Sequence, residues 1–365
     1  MSSSKKSIKY IAPIGNSGYA EAAKDYMVGL HRIGVDVTFQ YFKFDNTDEQ
    51  GSGDRHDLVL SLVNREIDYD TVIIHSTPEH WPDKVRSHNG KKIIGMTVWE
   101  TTKLHPDWVP WINMVHEVVV PCEWNKKVFQ DSGIIRPIKV VPHIMRHQNT
   151  VEAEIKGTEG RYVFYTIGQW HNRKGIDDTI RAYLTAFNSS NKDVVLVVKA
   201  FSSDFSEGQK QVTKKRVQEV ISEFSDPADV VLINEEMTQE QMEAIHTVGD
   251  CYVSLCKSEG WGLGAFDAAA RGKPVIMTGF GGQMDFLKKG QHKIVSYKLT
   301  DVDGMPWIPW YLKEQQWAQP NIGNAAQQMK EVYLLKPKPL KRQVEWMKEQ
   351  FNEITVSHLL KRMIK

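Results

Sequence analysis

The sequence predicts an α/β protein made of two doubly wound, Rossmann-like domains. Three observations predict it. Short apolar runs bounded by Gly, Pro and polar residues alternate with stretches of helical period along most of the 365 residues. The alternation is interrupted by the polar run RHQNTVEAEIKGTEG at 146–160, which reads as a linker. In both halves, glycine-containing loops leave strands and open helices.

Residues 7–14, SIKYIAPI, read as a buried strand. GNSGYAEAAKDYMVGLHRIG follows, with Tyr19, Ala23, Met27, Leu30 and Ile33 at helical spacing and Gly34 as the stop. VDVTFQYF then alternates apolar and polar residues, so the chain opens with a βαβ unit. TVIIH (71–75), KKIIGMTV (91–98), EVVVP (117–121) and IKVVP (138–142) continue the series. Such short apolar strands, separated by helices, predict a parallel sheet covered on both faces. The second series is YVFYTIG (162–168), a helix near 175–187, VVLVVKAF (194–201), a helix near 207–224 and VVLIN (230–234). A helix near 238–247, CYVSLC (251–256), a helix near 264–271 and PVIM (274–277) complete it. Segment 301–320, with Trp307, Trp310 and Trp317 among prolines, reads as a long loop, and residues 341–365 read as helical. The predicted domains are 1–146 and 147–344, with a helix at about 345–365 packing back on the first. Two such domains on a linker form a cleft at the carboxyl ends of their strands, where ligands bind in this architecture.

Composition narrows the function. The 46 basic and 45 acidic residues give a formal charge of +1, which argues against a strongly electrostatic nucleic-acid binder. No window approaches the ~18 apolar residues of a membrane span, and MSSSKKSIKYIAPIG lacks a signal peptide's apolar core. Cys122, Cys251 and Cys256 lie in or beside apolar segments without zinc spacing, and read as reduced core thiols of a cytoplasmic protein.

Two loops carry the chemistry. SEGWGLG leaves the strand CYVSLC and enters the helix GAFDAAARG. Its backbone N–H groups and the helix N-terminus suit a phosphate or a polar hydroxyl, and Gly260, Gly262 and Gly264 permit close approach. Glu259 can accept hydrogen bonds from sugar hydroxyls, and Asp267 sits about one turn into the helix. A tight strand-to-helix turn with a solvated acid at each end is the bland alternative. GQWHNRKG (168–175) likewise leaves a strand and opens a helix, which places Arg173 and Lys174 at a strand's carboxyl end. Two cations with helix N-termini suit a diphosphate, whose charge grows as it departs.

These blocks resemble the GT-B glycosyltransferases of family 4 (glycosyl transferases group 1), a retaining group that uses nucleotide sugars. The resemblance covers nearly the whole chain. It is densest in VVVPCEWNKKVFQDSGI, YTIGQWHNRKG and SEGWGLGAFDAAARGKPVIMTGFGGQMDF, and WETTKLHPDW and QQWAQP add to it. It implies a GT-B fold, with two Rossmann-like domains facing across a cleft. It implies no cofactor and no metal, a UDP-, GDP- or ADP-hexose as donor, and a hydroxyl acceptor that is a glycan, a lipid or a small molecule. By this resemblance Glu259 contacts the donor sugar and Asp267 the ribose hydroxyls. Arg173 and Lys174, after Gly168, meet the diphosphate. Trp261, Gly262, Leu263 and Gly264 belong to the loop whose backbone lines sugar and phosphate. Gly15 to Gly18 match the first-domain loop over the diphosphate and acceptor side, and His75 matches a histidine beside the donor sugar. Three departures stand out. The second acid is Asp267 rather than the usual glutamate, Asn16-Ser17-Gly18 replaces paired glycines, and Cys122 stands where serine is common.

Other readings stay open. A nucleotide-sugar epimerase shares the fold, and a non-catalytic sugar-nucleotide binder would bind without turnover. Asp301-x-Asp303 has a metal-holding pattern but lies in a Gly- and Pro-containing loop. GNSGYA lacks the G-x-G-x-x-G spacing of a dinucleotide site. Glu100 could orient the acceptor or cap the next segment. Trp307, Trp310 and Trp317 could form a sugar-stacking platform or pin the long loop. The basic residues Lys361, Arg362 and Lys365 could touch an anionic membrane surface, or their helix could pack across the first domain.

Overall fold

The computed structural model describes residues 6–15, 17–43, 53–146, 151–287 and 292–365; Asn16 and part of the expected linker, residues 147–150, lie outside them. The chain divides into two compact units. Unit 1 is Met1–Arg146 with Met347–Lys365, and unit 2 is His147–Trp346.

Unit 1 is a six-stranded parallel sheet of β1 (Ser7–Pro13), β2 (Asp36–Phe42), β3 (Thr71–His75), β4 (Lys92–Met96), β5 (Glu117–Val120) and β6 (Ile138–Val140). Its order is β2-β1-β3-β4-β5-β6. The connections carry α1 (Gly18–Arg32), α2 (Asp54–Ser61), α3 (Trp81–Ser87), α4 (Trp108–Ile112) and α5 (Glu123–Asp131). Ile8, Tyr10, Ile11 and Ala12 of β1 are all buried, as a central strand covered on both faces requires. The Ser17 hydroxyl caps α1 by accepting from Ala20 N at 3.2 Å. Cys122 does more than pack: its Sγ accepts from Asn125 N at 3.3 Å and caps α5, the part an N-cap serine plays.

Unit 2 holds a second six-stranded parallel sheet: β7 (Tyr162–Gln169), β8 (Val194–Phe201), β9 (Val230–Ile233), β10 (Cys251–Ser254), β11 (Val275–Thr278) and β12 (Lys293–Val295). Its order is β12-β11-β10-β7-β8-β9. An antiparallel ribbon, β13 (Tyr297–Asp301) with β14 (Gln316–Pro320), follows. The helices are α6 (Ile176–Ala186), α7 (Glu207–Ser222), α8 (Gln239–Val248), α9 (Leu263–Ala270) and α10 (Ile322–Leu335). Then α11 (Lys341–Phe351) leads out of unit 2, and α12 (Glu353–Lys361) joins the core of unit 1 through Val356 and Leu360. Lys361 donates to Ile33 O at 2.8 Å, so that basic residue is engaged in packing against unit 1.

The ribbon corrects the expectation of one long loop over 301–320. Gln316–Pro320 is a strand because Trp317 and Ala318 are fully buried and pair with β13. The loop proper is the stretch between, 302–315.

In each sheet the chain builds outward on one side, then returns and builds on the other. The direction reverses between β1 and β3 in unit 1 and between β7 and β10 in unit 2. Open α/β sheets bind ligands at such switch points, beyond the carboxyl ends of the strands.

Candidate functional site

In unit 2 the two loops at the switch point are 170–175, after β7, and 255–262, after β10. They are locked together. Gly175 has φ +56°, and a Cβ there would lie 2.1 Å from Leu255 O, so only glycine lets the loops pass this closely. Lys257 N donates to Arg173 O at 2.7 Å, and the Arg173 guanidinium donates to Ser258 O at 2.8 Å.

This seam places three charged side chains in contact. Lys174 Nζ lies 2.5 Å from Glu259 Oε1, and Arg173 lies 3.2 Å from Glu259 Oε2. Arg173 and Glu259 are nearly buried, whereas Lys174 keeps about a quarter of its surface. Burial pushes the Glu259 carboxyl up, but Lys174 and then Arg173 outweigh it and hold the group below the usual carboxylate range. The acid and the cations, read separately from sequence, are one cluster of net charge +1.

Beside it, Gly262 (φ +87°) is the N-cap of α9 and makes no side-chain cap bond, so the first N–H groups of Leu263 and Gly264 face outward from the helix start. A Cβ on Gly264 would sit 2.7 Å from Tyr252 Oη, so this turn packs directly on β10. Trp261 turns its side chain into the core against Phe266 and Phe286, which leaves its backbone on the loop. Asp267 is half-buried on α9. Burial raises the Tyr252 phenol, and the charges of Glu259 and Asp267 raise it further, so both acids lie within its electrostatic reach. Gly168 has room: a Cβ there would meet Lys174 at 3.8 Å, an ordinary contact.

Sequence reasoning missed the support of Glu259. Gly282 N donates to Glu259 O at 2.8 Å, and the Gln283 amide donates to Thr278 O and Phe280 O. The GFGGQ run after β11 was the available signal. It also missed Lys199, whose ammonium donates to Glu235 O at 2.7 Å and lies 4.7 Å from the Phe205 ring. Burial, opposed by Glu235 and Glu236, lowers that ammonium to about 8. Lys199 therefore fixes the loop after β9.

In unit 1, Gly15 (φ +116°) and the exposed Gly18 flank the turn from β1 into α1, on one side of that sheet's switch point. His75 ends β3 on the other side. Its Nδ1 lies 2.8 Å from Tyr10 Oη, with Tyr19 and Tyr26 edge-on at 5.6 and 5.9 Å. Burial, then His143, lowers the His75 imidazole to about 3, so it is neutral at physiological pH. Glu100 adds to the rise of the Tyr19 phenol, which places its charge near this aromatic group.

Asp301 accepts from the Gln316 amide at 3.3 Å, and Asp303 from Asn172 at 2.7 Å. Among the described residues, no group of three or more His, Cys, Asp or Glu is placed to hold a metal ion. No helix among them is long and apolar enough to cross a membrane.

Residues 148–303 match the family described as Glycosyl transferases group 1, and both loops of the charged cluster lie inside that span. No curated protein sequence matches the chain. Among solved structures, the chain is similar to sucrose-phosphate synthase from Thermosynechococcus elongatus, at 12% identity, 98% of each chain and TM-score 0.70. It is similar to trehalose-6-phosphate from E. coli bound with UDP-2-fluoro glucose, at 9% identity, 98% of each chain and TM-score 0.66. It is also similar to the lipopolysaccharide outer core galactosyltransferase WaaB, at 13% identity, 98% of each chain and TM-score 0.62. The two parallel sheets and these likenesses show the GT-B fold.

Proposed function

We propose that this chain is a retaining, metal-independent glycosyltransferase of family 4 that moves a hexose from a nucleotide-diphosphate sugar to a hydroxyl acceptor. The observation that carries the reading is the Arg173–Glu259–Lys174 cluster beside the uncapped start of α9, within the segment that matches Glycosyl transferases group 1.

The chemistry follows from the charges. Transfer breaks the bond from the anomeric carbon to a diphosphate oxygen and forms one to the acceptor oxygen on the same face. The acceptor proton passes to an oxygen of the departing diphosphate, so no side chain serves as a covalent nucleophile. Negative charge grows on the leaving oxygen. Arg173, Lys174 and the first N–H groups of α9 stabilise it, and they supply the counter-charge without a metal. With no donor bound, Glu259 neutralises part of that charge. In the proposed role its carboxylate also accepts from donor-sugar hydroxyls. Asp267, one turn into α9, takes the ribose hydroxyls. Gly15, Gly18 and His75 serve the acceptor and sugar side, His75 as a neutral hydrogen-bonding ring. The donor is a UDP-, GDP- or ADP-hexose, and the UDP-sugar in the similar E. coli structure supports a nucleotide sugar. The acceptor is a glycan, a lipid or a small molecule. The reduced, buried thiols of Cys122, Cys251 and Cys256 support a cytoplasmic placement.

The test is a thermal-shift panel of UDP-, GDP- and ADP-linked hexoses on wild type, Arg173→Ala and Glu259→Ala. A donor at a hundred times its dissociation constant adds about 2.7 kcal/mol to wild-type stability. The shift should shrink in both variants, and that donor is then offered with acceptors. If no nucleotide sugar moves the wild-type transition, the reading fails. Turnover to an altered sugar with no acceptor would identify an epimerase instead.

A further inference from the structure

Unit 2 has an open cavity of about 510 Å³ between α6, α7 and the loop 302–315. Arg173, Lys174 and Glu259 do not line it. Its most unusual wall is Trp307, which stands 62% exposed, whereas Trp317 of the same segment is fully buried. A tryptophan held in water costs solvation that a stacked ligand would recover.

The rest of the lining is polar. Asp177, Glu219 and Glu223 face Arg181 and Arg216, three carboxylates against two guanidinium groups. That net charge of −1 disfavours phosphorylated or sulfated ligands. The carboxylates differ in their commitments. Glu223 is bound by Arg181 at 2.7 and 2.8 Å. Among the described residues, Asp177 and Glu219 have only long ion pairs, 3.9 Å to Arg181 and 3.7 Å to Lys215. Both therefore keep lone pairs for a ligand. The His171 ring also lines the cavity, and its buried Nδ1 has no hydrogen-bond partner among the described residues.

The rim is built rather than loose. Asn172 donates its amide to the Asp303 carboxylate at 2.7 Å and to Asp303 O at 3.1 Å. Gly304 (φ +66°) sits so close that a Cβ would lie 2.7 Å from that amide nitrogen. The loop carrying Trp307 is thus seated on the loop that carries Arg173 and Lys174.

An indole face beside loosely paired carboxylates and planar guanidinium groups matches one ligand class. A pyranose ring offers C–H groups to the indole and adjacent hydroxyls to the carboxylates. An apolar ligand would strand the polar lining. The volume falls within the range of small-molecule sites, about 300–1,000 Å³. We propose that this cavity binds a neutral oligosaccharide, with one pyranose stacked on Trp307, apart from the donor cluster. The inference goes beyond the donor reading and does not depend on it.

The experiment titrates the full chain with maltotriose, cellotriose and triacetylchitotriose, and with a heparin tetrasaccharide as the anionic control. Binding is read by tryptophan fluorescence and by saturation-transfer NMR. At least one neutral trisaccharide should saturate wild type below about 10 mM, a weak affinity. Trp307→Ala should weaken it at least about tenfold, and Glu219→Ala should weaken it severalfold. Both residues are exposed, so neither variant tests folding. The nucleotide-sugar thermal shift should be unchanged in Trp307→Ala, which keeps failure of this site distinguishable from failure of the donor site. Three results would each overturn the proposal: no neutral trisaccharide binding, unchanged binding by Trp307→Ala, or preference for the heparin fragment.

Discussion

At Glu259, burial and charge pull in opposite directions. Removing the carboxylate from water disfavours its ionised form, yet two cations within 3.2 Å keep it ionised. The same contacts hold Arg173 and Lys174 in place, so each charge positions the others. Lys174 is the most exposed of the three, and its replacement perturbs the fold least. We expect Lys174→Ala to lower kcat about a hundredfold, near 3 kcal/mol of lost leaving-group stabilisation, with steady-state kinetics on the identified donor as the check. Glu259→Gln should act differently. Without its charge the two cations meet a diphosphate unopposed, so affinity for the free nucleoside diphosphate should rise severalfold while transfer falls. Calorimetry on the variant reads this, and weaker diphosphate binding would argue against the cations as the phosphate site.

The element that makes the cluster possible is the connection from β7 into α6. Its left-handed Gly175 lets one loop pass within contact of the chain leaving β10. Gly175→Ala forces a Cβ onto a backbone carbonyl and strains φ, and should cost about 3 kcal/mol. Gly168→Ala, seven residues earlier and within β7, meets only ordinary contacts and should change stability by less than about 0.5 kcal/mol. Urea unfolding of the two variants checks the contrast. A loss of donor binding in Gly168→Ala would then report the ligand's approach to the backbone rather than damage to the fold.

At the scale of the whole molecule, the C-terminal residues belong to the core of unit 1. Val356 and Leu360 are fully buried there, and Ile364 nearly so. Burial of three such side chains is worth roughly 5–9 kcal/mol, comparable with the stability of an entire domain. Deleting residues 347–365 should therefore unfold unit 1, seen as early proteolysis within residues 6–146 while unit 2 resists. Acid should weaken the same unit. His75 is buried and His143 half-buried, and loss of water around them lowers both imidazoles from 6.5 to about 3. The folded state keeps them neutral while the unfolded chain takes up protons below pH 6.5. Stability thus falls as pH drops from 6.5 towards 3, by about 1.4 kcal/mol per pH unit for each histidine. His75→Phe should flatten the slope between pH 6.5 and 5, measured by urea midpoints.

The parallel strands of both sheets, apart from the short β12 at 293–295, were legible because apolar runs report burial on two faces, and that is a local property of the chain. The loops with Glu259 and with Arg173 and Lys174 were legible too, since glycines and charges at strand ends need no partner to be noticed. Three features were not. The strand at 316–320 hides among prolines, and only the burial of Trp317 and its pairing with 297–301 reveal it. The thiol of Cys122 reads as packing until its bond to Asn125 N is seen. The ion cluster joins residues 85 positions apart, and no spacing along the chain announces it. By itself the sequence determined most of the parallel strands, the sheet type and the charges carried at the ends of β7 and β10. Tertiary structure alone decided which ends meet, because strand order sets the switch points, and there the long-range approach of Gly175 to Leu255 turns three separate charges into one site.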